Sequence, residues 1–503
     1  MADVLVVGGG SAGCVLAARL SEDAGCEVLL LEGGPDAAVI GELPPDVVDA
    51  SEPTEAHDWG YVAEPDALGR SISLPRARII GGCSSTNGCF ALRGAPADYD
   101  GWAQAGNVGW GFGDVLPFFR RLETDADFTG DWHGASGPLP IRRHPPAELN
   151  AVHAAFIDAA RASGLSYAGD HNRPGALGVG PTPRNARGGV RMSTALTYLA
   201  AARGRRNLAV RGGAVVDRVV VREARATGVR LAGGEMISAD RVVLAAGAYA
   251  SPAILQRSGI GPAALLAGLG IDVVADLPGV GENLIDHPLC AIDLPTRQGA
   301  SGAPRFQAIA TLRSQAAPPG GAPDLHVFAA GPFDVPTALS PTGRIFGLVA
   351  GLVLPRSRGR LWLRSAEVAD PPRIDVAHLR DADDMTRMVE ATRIARRISR
   401  AAPLAELTAG DELSPGPAVA DDDHDGIAAS IRSRVASYHH PVGTCAMGSV
   451  PSDGAVVDPR GHVYGIEQLY VADASVMPMI PSANTNLPTI MVAERISSWL
   501  RQG

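Results

Sequence analysis

The sequence predicts an α/β chain of two or three domains, on three observations. Its 503 residues are too many for one compact core. The first 34 residues divide into strand, helix and strand. Far downstream, strand-like runs of a second sheet precede a long amphipathic helix.

Residues 2–10, ADVLVVGGG, are a short apolar strand ending in glycines. SAGCVLAARLSED has helical periodicity, with Val15, Leu16 and Leu20 on one face. CEVLLLEGG is a second buried-type strand that ends in Glu32. The Pro- and acid-rich residues 35–57 read as loop. Residues 75–123 carry the glycine cluster RIIGGCSSTNGC and then a helical FGDVLPFFRRLE. Residues 207–248 alternate like strands (NLAVRGGAVVDRVVV, then DRVVLAAGA), and a helix opens at SPAILQRSG. Residues 291–325, rich in Gly, Pro and Ala, read as loose chain. FGLVAGLVLP and GRLWLRS read as strands of the second sheet. DADDMTRMVEATRIARRISRAA is an amphipathic helix, acidic at its start and arginine-rich at its end, as the helix dipole favours. The tail returns to strand (QLYVAD), loop (SANTNLP) and a terminal helix, TIMVAERISSWL. The acidic run ADDDHDG lacks the closing glutamate of a calcium loop and reads as a solvated turn.

Composition excludes several function classes. A formal net charge of −10 and a pI near 5.7 argue against a nucleic-acid partner. The chain has no lysine, so all 44 Lys/Arg positions are arginine. That removes P-loop, Schiff-base and lysine general-base chemistry. The six cysteines form no C-x-x-C pair, and the amino terminus enters a strand without a basic leader. The expectation is a reduced, cytoplasmic protein with no signal peptide. No apolar run reaches the ~18 residues needed to span a membrane.

Gly8, Gly10 and Gly13 fit G-x-G-x-x-G between strand and helix, with Glu32 closing the second strand. The first glycine permits the tight turn, the second lets backbone approach a pyrophosphate, and the third lets helix and strand pack closely. Glu32 can accept from a ribose hydroxyl and would repel a 2′-phosphate. This pattern leaves FAD and NAD both open.

Further glycine clusters occur in a fixed order: LPRARIIGGCSSTNG, GAYASPAILQRSGIGP, GVGENLIDHP, HPVGTCAMG and DASVMPMIPSANTNLPT. Together with GGGSAGCVLAARLSED, they resemble the glucose-methanol-choline (GMC) family of FAD-dependent oxidoreductases over nearly the whole chain. The tail and size are similar to bacterial choline-dehydrogenase-like and hydroxymethylfurfural-oxidase-like members. The resemblance extends to mycofactocin-linked members as an alternative.

The resemblance implies a doubly wound, Rossmann-like FAD-binding domain and a substrate domain built on an antiparallel sheet capped by helices. The implied FAD domain takes residues 1–140, 196–290 and 435–503, and the substrate domain takes 141–195 and 291–434. It places Gly8, Gly10, Ser11, Ala12, Gly13 and Glu32 along the ADP half of FAD. Arg78, Gly82, Asn87, Gly88 and Cys89 match the loop under the pyrophosphate and isoalloxazine, and Val216 matches an adenine contact. Asp473, Ala474 and Thr489 match the ribityl-phosphate and pyrimidine edge. One subgroup carries, after CSS, a histidine that bonds covalently to flavin. Thr86 stands here, so non-covalent FAD is expected.

The implied reaction removes a proton from an alcohol oxygen and a hydride from its carbon. The resemblance assigns the base to His440, before Pro441, and the second polar group to Asn486. An imidazole titrating near ~6–7 suits the base, and an amide suits the developing alkoxide. If SYHHPVG is extended, alternation turns His439 away from the site that His440 faces. No metal site is expected. A substrate with an uncharged, apolar body is expected instead of choline, since aromatics are only 5% of the chain. A choline-type or mycofactocin-linked dehydrogenase and a flavin-retaining lyase are the alternatives. Oxygen, a quinone or another carrier could accept the electrons.

Overall fold

The structure, a computed structural model, describes residues 2–299 and 304–502. Its larger sheet has seven strands. Ala2–Val7 lies between Val28–Leu31 and Met236–Leu244, and Leu208–Arg211 flanks Val28–Leu31 on its far side, all parallel. Leu469–Val471 adds a further parallel strand against Met236–Leu244. Helices Ser11–Leu20 and Asn486–Leu500 pack together against this sheet. The strand Met236–Leu244 changes partners along its length. Residues 236–238 pair antiparallel with Arg225–Leu231, and residues 239–244 pair with the opening strand.

The second sheet has six antiparallel strands, in the order Ala436–Ser437, Pro288–Pro295, Arg344–Leu352, Leu325–Asp334, Ala308–Leu312, Gly178–Pro181. Strand alternation sorts its side chains. Val327 and Ala329 pack under helices Ala151–Ala162 and Ala382–Ser399, while Phe328 and Ala330 face the opposite side. Both faces are buried, so the strand reads as a continuous apolar run. The mixed α/β fold is therefore the one expected, with helices capping an antiparallel second sheet.

Several local expectations are corrected. Residues 291–325 are not loose: they hold most of Pro288–Pro295 and all of Ala308–Leu312, with residues 300–303 outside the described part. Alanine and proline masked these strands, whose burial comes from neighbours on both sides. GRLWLRS forms Arg360–Trp362, which pairs only with Arg373–Asp375 in a small separate sheet. The terminal helix begins at Asn486, three residues earlier than expected. Among the described residues no helix is long and apolar enough to cross a membrane.

Candidate active site

The opening strand ends at Gly8, whose φ is +100°. A Cβ there would lie 2.7 Å from the Ala245 carbonyl oxygen, and one on Gly13 would lie 1.8 Å from that of Gly8. Both positions therefore exclude any side chain. Gly82, from the RIIGGCSSTNG loop, abuts the same turn: its Cβ would lie 2.7 Å from Gly10 Cα. Two glycine backbones thus meet at the amino end of helix Ser11–Leu20, leaving bare N–H groups for an anion.

Glu32 closes this end. Its carboxylate oxygens accept from Gly9 N–H at 2.8 Å and Gly34 N–H at 2.7 Å. Burial pushes its pKa up to about 7, against the pull of those two donors. Each oxygen keeps a lone pair for a ribose hydroxyl.

From here a single cavity of about 930 Å³ runs to His440. Gly8, Gly10, Ser11, Ala12 and Glu32 line its first part. Arg78, stacked 4.7 Å over Trp59, and Val216 lie on its walls. Gly82, Asn87 and Gly88 follow, then Asp473, Ala474 and Thr489. Asp473 braces the wall, accepting from Gly247 N–H at 2.8 Å and Ser251 Oγ at 2.6 Å. Two expected cofactor residues do not reach the cavity lining. Gly13 acts through packing alone. Cys89 is fully buried, at φ +63°, and donates its N–H to Asn87 Oδ1 at 2.9 Å. A glycine-lined turn, a cavity-lining carboxylate and one long cavity fit a flavin dinucleotide.

At the far end the two histidines part company for a reason the sequence did not show. His439 has φ +66°, so the segment is not extended and alternation does not apply. Both rings line the same cavity. What separates them is hydrogen bonding. His440 Nε2 lies 3.1 Å from Asn484 Nδ2, and its Nδ1 lies 3.0 Å from His287 Nδ1. His439 is held through its backbone: its N–H donates to Ser437 Oγ at 2.7 Å and its carbonyl accepts from Arg76 Nη2 at 3.0 Å. The carboxylate of Asp286 fixes the turn by accepting from His440 N–H at 2.8 Å and from the Ser437 hydroxyl.

Burial holds the His440 imidazole well below its ordinary value of 6.5. That direction favours the neutral ring at physiological pH. Of the two asparagines, Asn484 reaches His440. Asn486, the residue the sequence favoured, instead accepts from Ser11 Oγ at 3.3 Å. The asparagines lie two apart across the start of a helix, so the helix boundary decides which one faces the ring.

Around His440 the wall is aromatic. Phe90 lies 5.6 Å from Phe328, which stacks on Tyr438 at 5.5 Å, and Tyr438 lies 4.4 Å from the His440 ring. Phe306, Leu289 and Val349 complete it. Phe90, Phe306, Phe328 and Tyr438 thus form one aromatic cluster beside His440. The hydroxyl of Tyr438 and Oδ1 of Asn484 are buried without hydrogen bonds among the described residues. His287, Tyr438 and the phenylalanines were not singled out from the sequence. IDHP was visible as a motif, but nothing in it assigned the histidine a partner.

Comparisons with known proteins show the family and the fold. Sequence profiles of the GMC oxidoreductase family match residues 2–289 and 355–493. The oxygen-dependent choline dehydrogenase of Photobacterium profundum is 36% identical, over 98% of this chain and 92% of its own. That of Brucella canis is also 36% identical, over 99% and 95%. The crystal structure of pyridoxine 4-oxidase from Mesorbium loti superposes with a TM-score of 0.92 at 32% identity, covering each chain completely. A chain matched from end to end in sequence and fold, with a cavity shaped for a flavin dinucleotide, belongs to the GMC oxidoreductase family and is an FAD-dependent alcohol oxidoreductase.

Proposed function

We propose that this enzyme holds FAD without a covalent bond and oxidises an uncharged alcohol with an apolar body, His440 serving as the base and Asn484 as its polar partner. The observation that carries this is the 3.1 Å contact between Asn484 Nδ2 and His440 Nε2, at the end of the FAD cavity. The ADP half would be held by the Gly8–Gly13 turn and Glu32, and the ring system by Gly82, Asn87, Gly88, Asp473, Ala474 and Thr489. FAD, when bound, supplies the hydride acceptor at N5. A hydroxyl entering between the two side chains gives its proton to Nε2 and accepts from Nδ2. Neutral, His440 carries the Nε2 lone pair that takes this proton once the hydroxyl displaces the Asn484 contact. Asn484 cannot compete for it, because an amide nitrogen has no basic lone pair. Thr86, with a hydroxyl in place of an imidazole, supports the non-covalent reading.

The substrate reading rests on Phe90, Phe306, Phe328, Leu289, Val349 and Tyr438, none of which is charged. A second reading, a quaternary ammonium alcohol, is favoured by the clustering of the same rings, since aromatic faces attract cations. Anaerobic single-turnover reduction with benzylic and aliphatic alcohols and with choline separates the two. Bleaching by the uncharged alcohols supports the first reading; rapid bleaching by choline with the others inert overturns it. A flavin that no alcohol bleaches would favour a lyase.

A further inference from the structure

We propose that His287 is a positioning residue for His440: it accepts the Nδ1 proton of His440 and so holds that ring in the tautomer whose Nε2 lone pair faces the substrate. The proposal rests on reading His440 as the base. The two Nδ1 atoms are 3.0 Å apart, and the rings stand nearly perpendicular at 84° with centroids 5.1 Å apart. Two nitrogens at that distance share one proton, since two lone pairs or two N–H groups would repel. Which ring owns it follows from the other side of His440. Asn484 presents Nδ2, which can only donate, so Nε2 carries the lone pair and Nδ1 carries the proton. His287 must then be the Nε2–H tautomer with its Nδ1 lone pair facing His440.

His287 is suited to accept. It is fully buried, and burial pulls its pKa down to about 4, so above that pH it has a lone pair to offer and no charge. It comes from the IDHP loop, where Asp286 next to it grips the His440 backbone. The same loop thus sets both the position of the base and its tautomer. When the alcohol proton moves to Nε2, His440 becomes an imidazolium and keeps its Nδ1 proton. The Nδ1–H···Nδ1 contact then becomes charge-assisted, which stabilises the protonated base. No proton passes to His287. The other charged or titratable groups around the pair are Asp286, which favours the imidazolium, and His439, His378 and Arg76, which oppose it. His326 and Tyr438 complete the surroundings from the strand side.

The test compares His287→Leu, which fills the space but cannot accept, with His287→Gln, whose Oε1 can. Loss of one charge-assisted hydrogen bond predicts flavin reduction about 10–100-fold slower in the Leu variant, and an acid-side fall displaced about 1–2 pH units downward. The Gln variant should recover most of the rate and return the profile toward wild type. A merely structural role would lower stability or flavin content without moving the pH profile. Wild-type rate and profile in His287→Leu, alongside an inactive His440→Ala, would overturn the proposal and leave the base reading standing. An active His440→Ala would instead remove the base reading. Histidine ¹⁵N spectra of the wild-type holoenzyme test the tautomer without any variant: Nδ1–H on His440 and Nε2–H on His287 are expected, and the reverse pair refutes the assignment.

Discussion

Asn484 and His440 face each other across 3.1 Å, amide nitrogen to imidazole nitrogen, while Asn486 turns to the Ser11 hydroxyl on the cofactor side. The two asparagines should therefore fail differently. Asn484→Ala removes a donor to the developing alkoxide and should slow flavin reduction by about 10²–10³-fold, the usual worth of one such donor. Asn486→Ala should stay within a few-fold of wild type in reduction but lose FAD more readily on dilution. Stopped-flow reduction of both variants decides, and the reverse ranking would hand the role to Asn486.

His440 is held below 6.5 by burial, which sets the direction of its pH dependence. The base is already deprotonated at neutral pH, so the reduction rate should be flat from about pH 7 upward and fall only on the acid side. His440→Ala should cost about 10²–10⁴-fold with the flavin spectrum retained. His439→Ala should cost far less, because its ring makes no bond to the reacting groups and its backbone contacts survive. A rate that climbs through pH 7–8 would place a different group in the role.

Thr86 lines the cavity where one GMC subgroup carries its flavin-linking histidine. Acid precipitation should release all the yellow colour into the supernatant. A coloured pellet would mean a covalent link through some other residue.

The first strand, helix and strand were legible because three glycines and an acid at fixed spacing leave few other folds. Arg225–Leu231 was not, since arginines at its ends and Gly228 inside hide a strand that is buried by its neighbours. The site divided in the same way. Residues fixed by motif, from Gly8 to Thr489, line one cavity, except Gly13 and Cys89, which lie behind its wall. Relationships fixed by backbone conformation did not show: the left-handed turn at His439, the helix start that separates Asn484 from Asn486, and the pairing of His287 with His440 across 153 residues.

Glu32, proposed to hold a ribose, also braces backbone. It accepts backbone N–H groups from two turns, that of Gly9 after the first strand and that of Gly34 after the second. Glu32→Ala should therefore lower thermal stability as well as FAD affinity, because it leaves buried donors unpaired. Glu32→Gln keeps the size and one acceptor oxygen, so it should retain most of the stability while still weakening FAD. Titration of apoprotein with FAD, beside thermal melts, separates the two effects. Unchanged affinity in both variants would show that Glu32 is structural only.

Away from the cavity, His133 sits among three carboxylates. Its Nδ1 is 3.0 Å from Asp125 and 3.4 Å from Glu123, and its Nε2 is 2.9 Å from Asp170. Glu123, Asp125 and His133 bring metal-ligand atoms together, but the arginines already supply the cations: Arg143 binds Asp125 at 2.7 Å and Asp170 at 3.2 Å, and Arg93 binds Glu123. An imidazolium balances the remaining carboxylate. Burial works against its charge, but the three carboxylates outweigh that and raise its pKa from 6.5 to about 10. The sign follows by linkage. A group bound more tightly to its proton in the folded state contributes its full stability below pH 6.5 and loses it as pH rises through about 10. The wild-type melting temperature should thus fall between pH 7 and 10. His133→Gln, which cannot carry charge, should be less stable at pH 6.5 and should fall less over the same interval. Melting curves of the two proteins, taken in matched buffers across that range, give the result. Parallel curves would mean that His133 is neutral in the folded protein and that the arginines alone hold the three carboxylates.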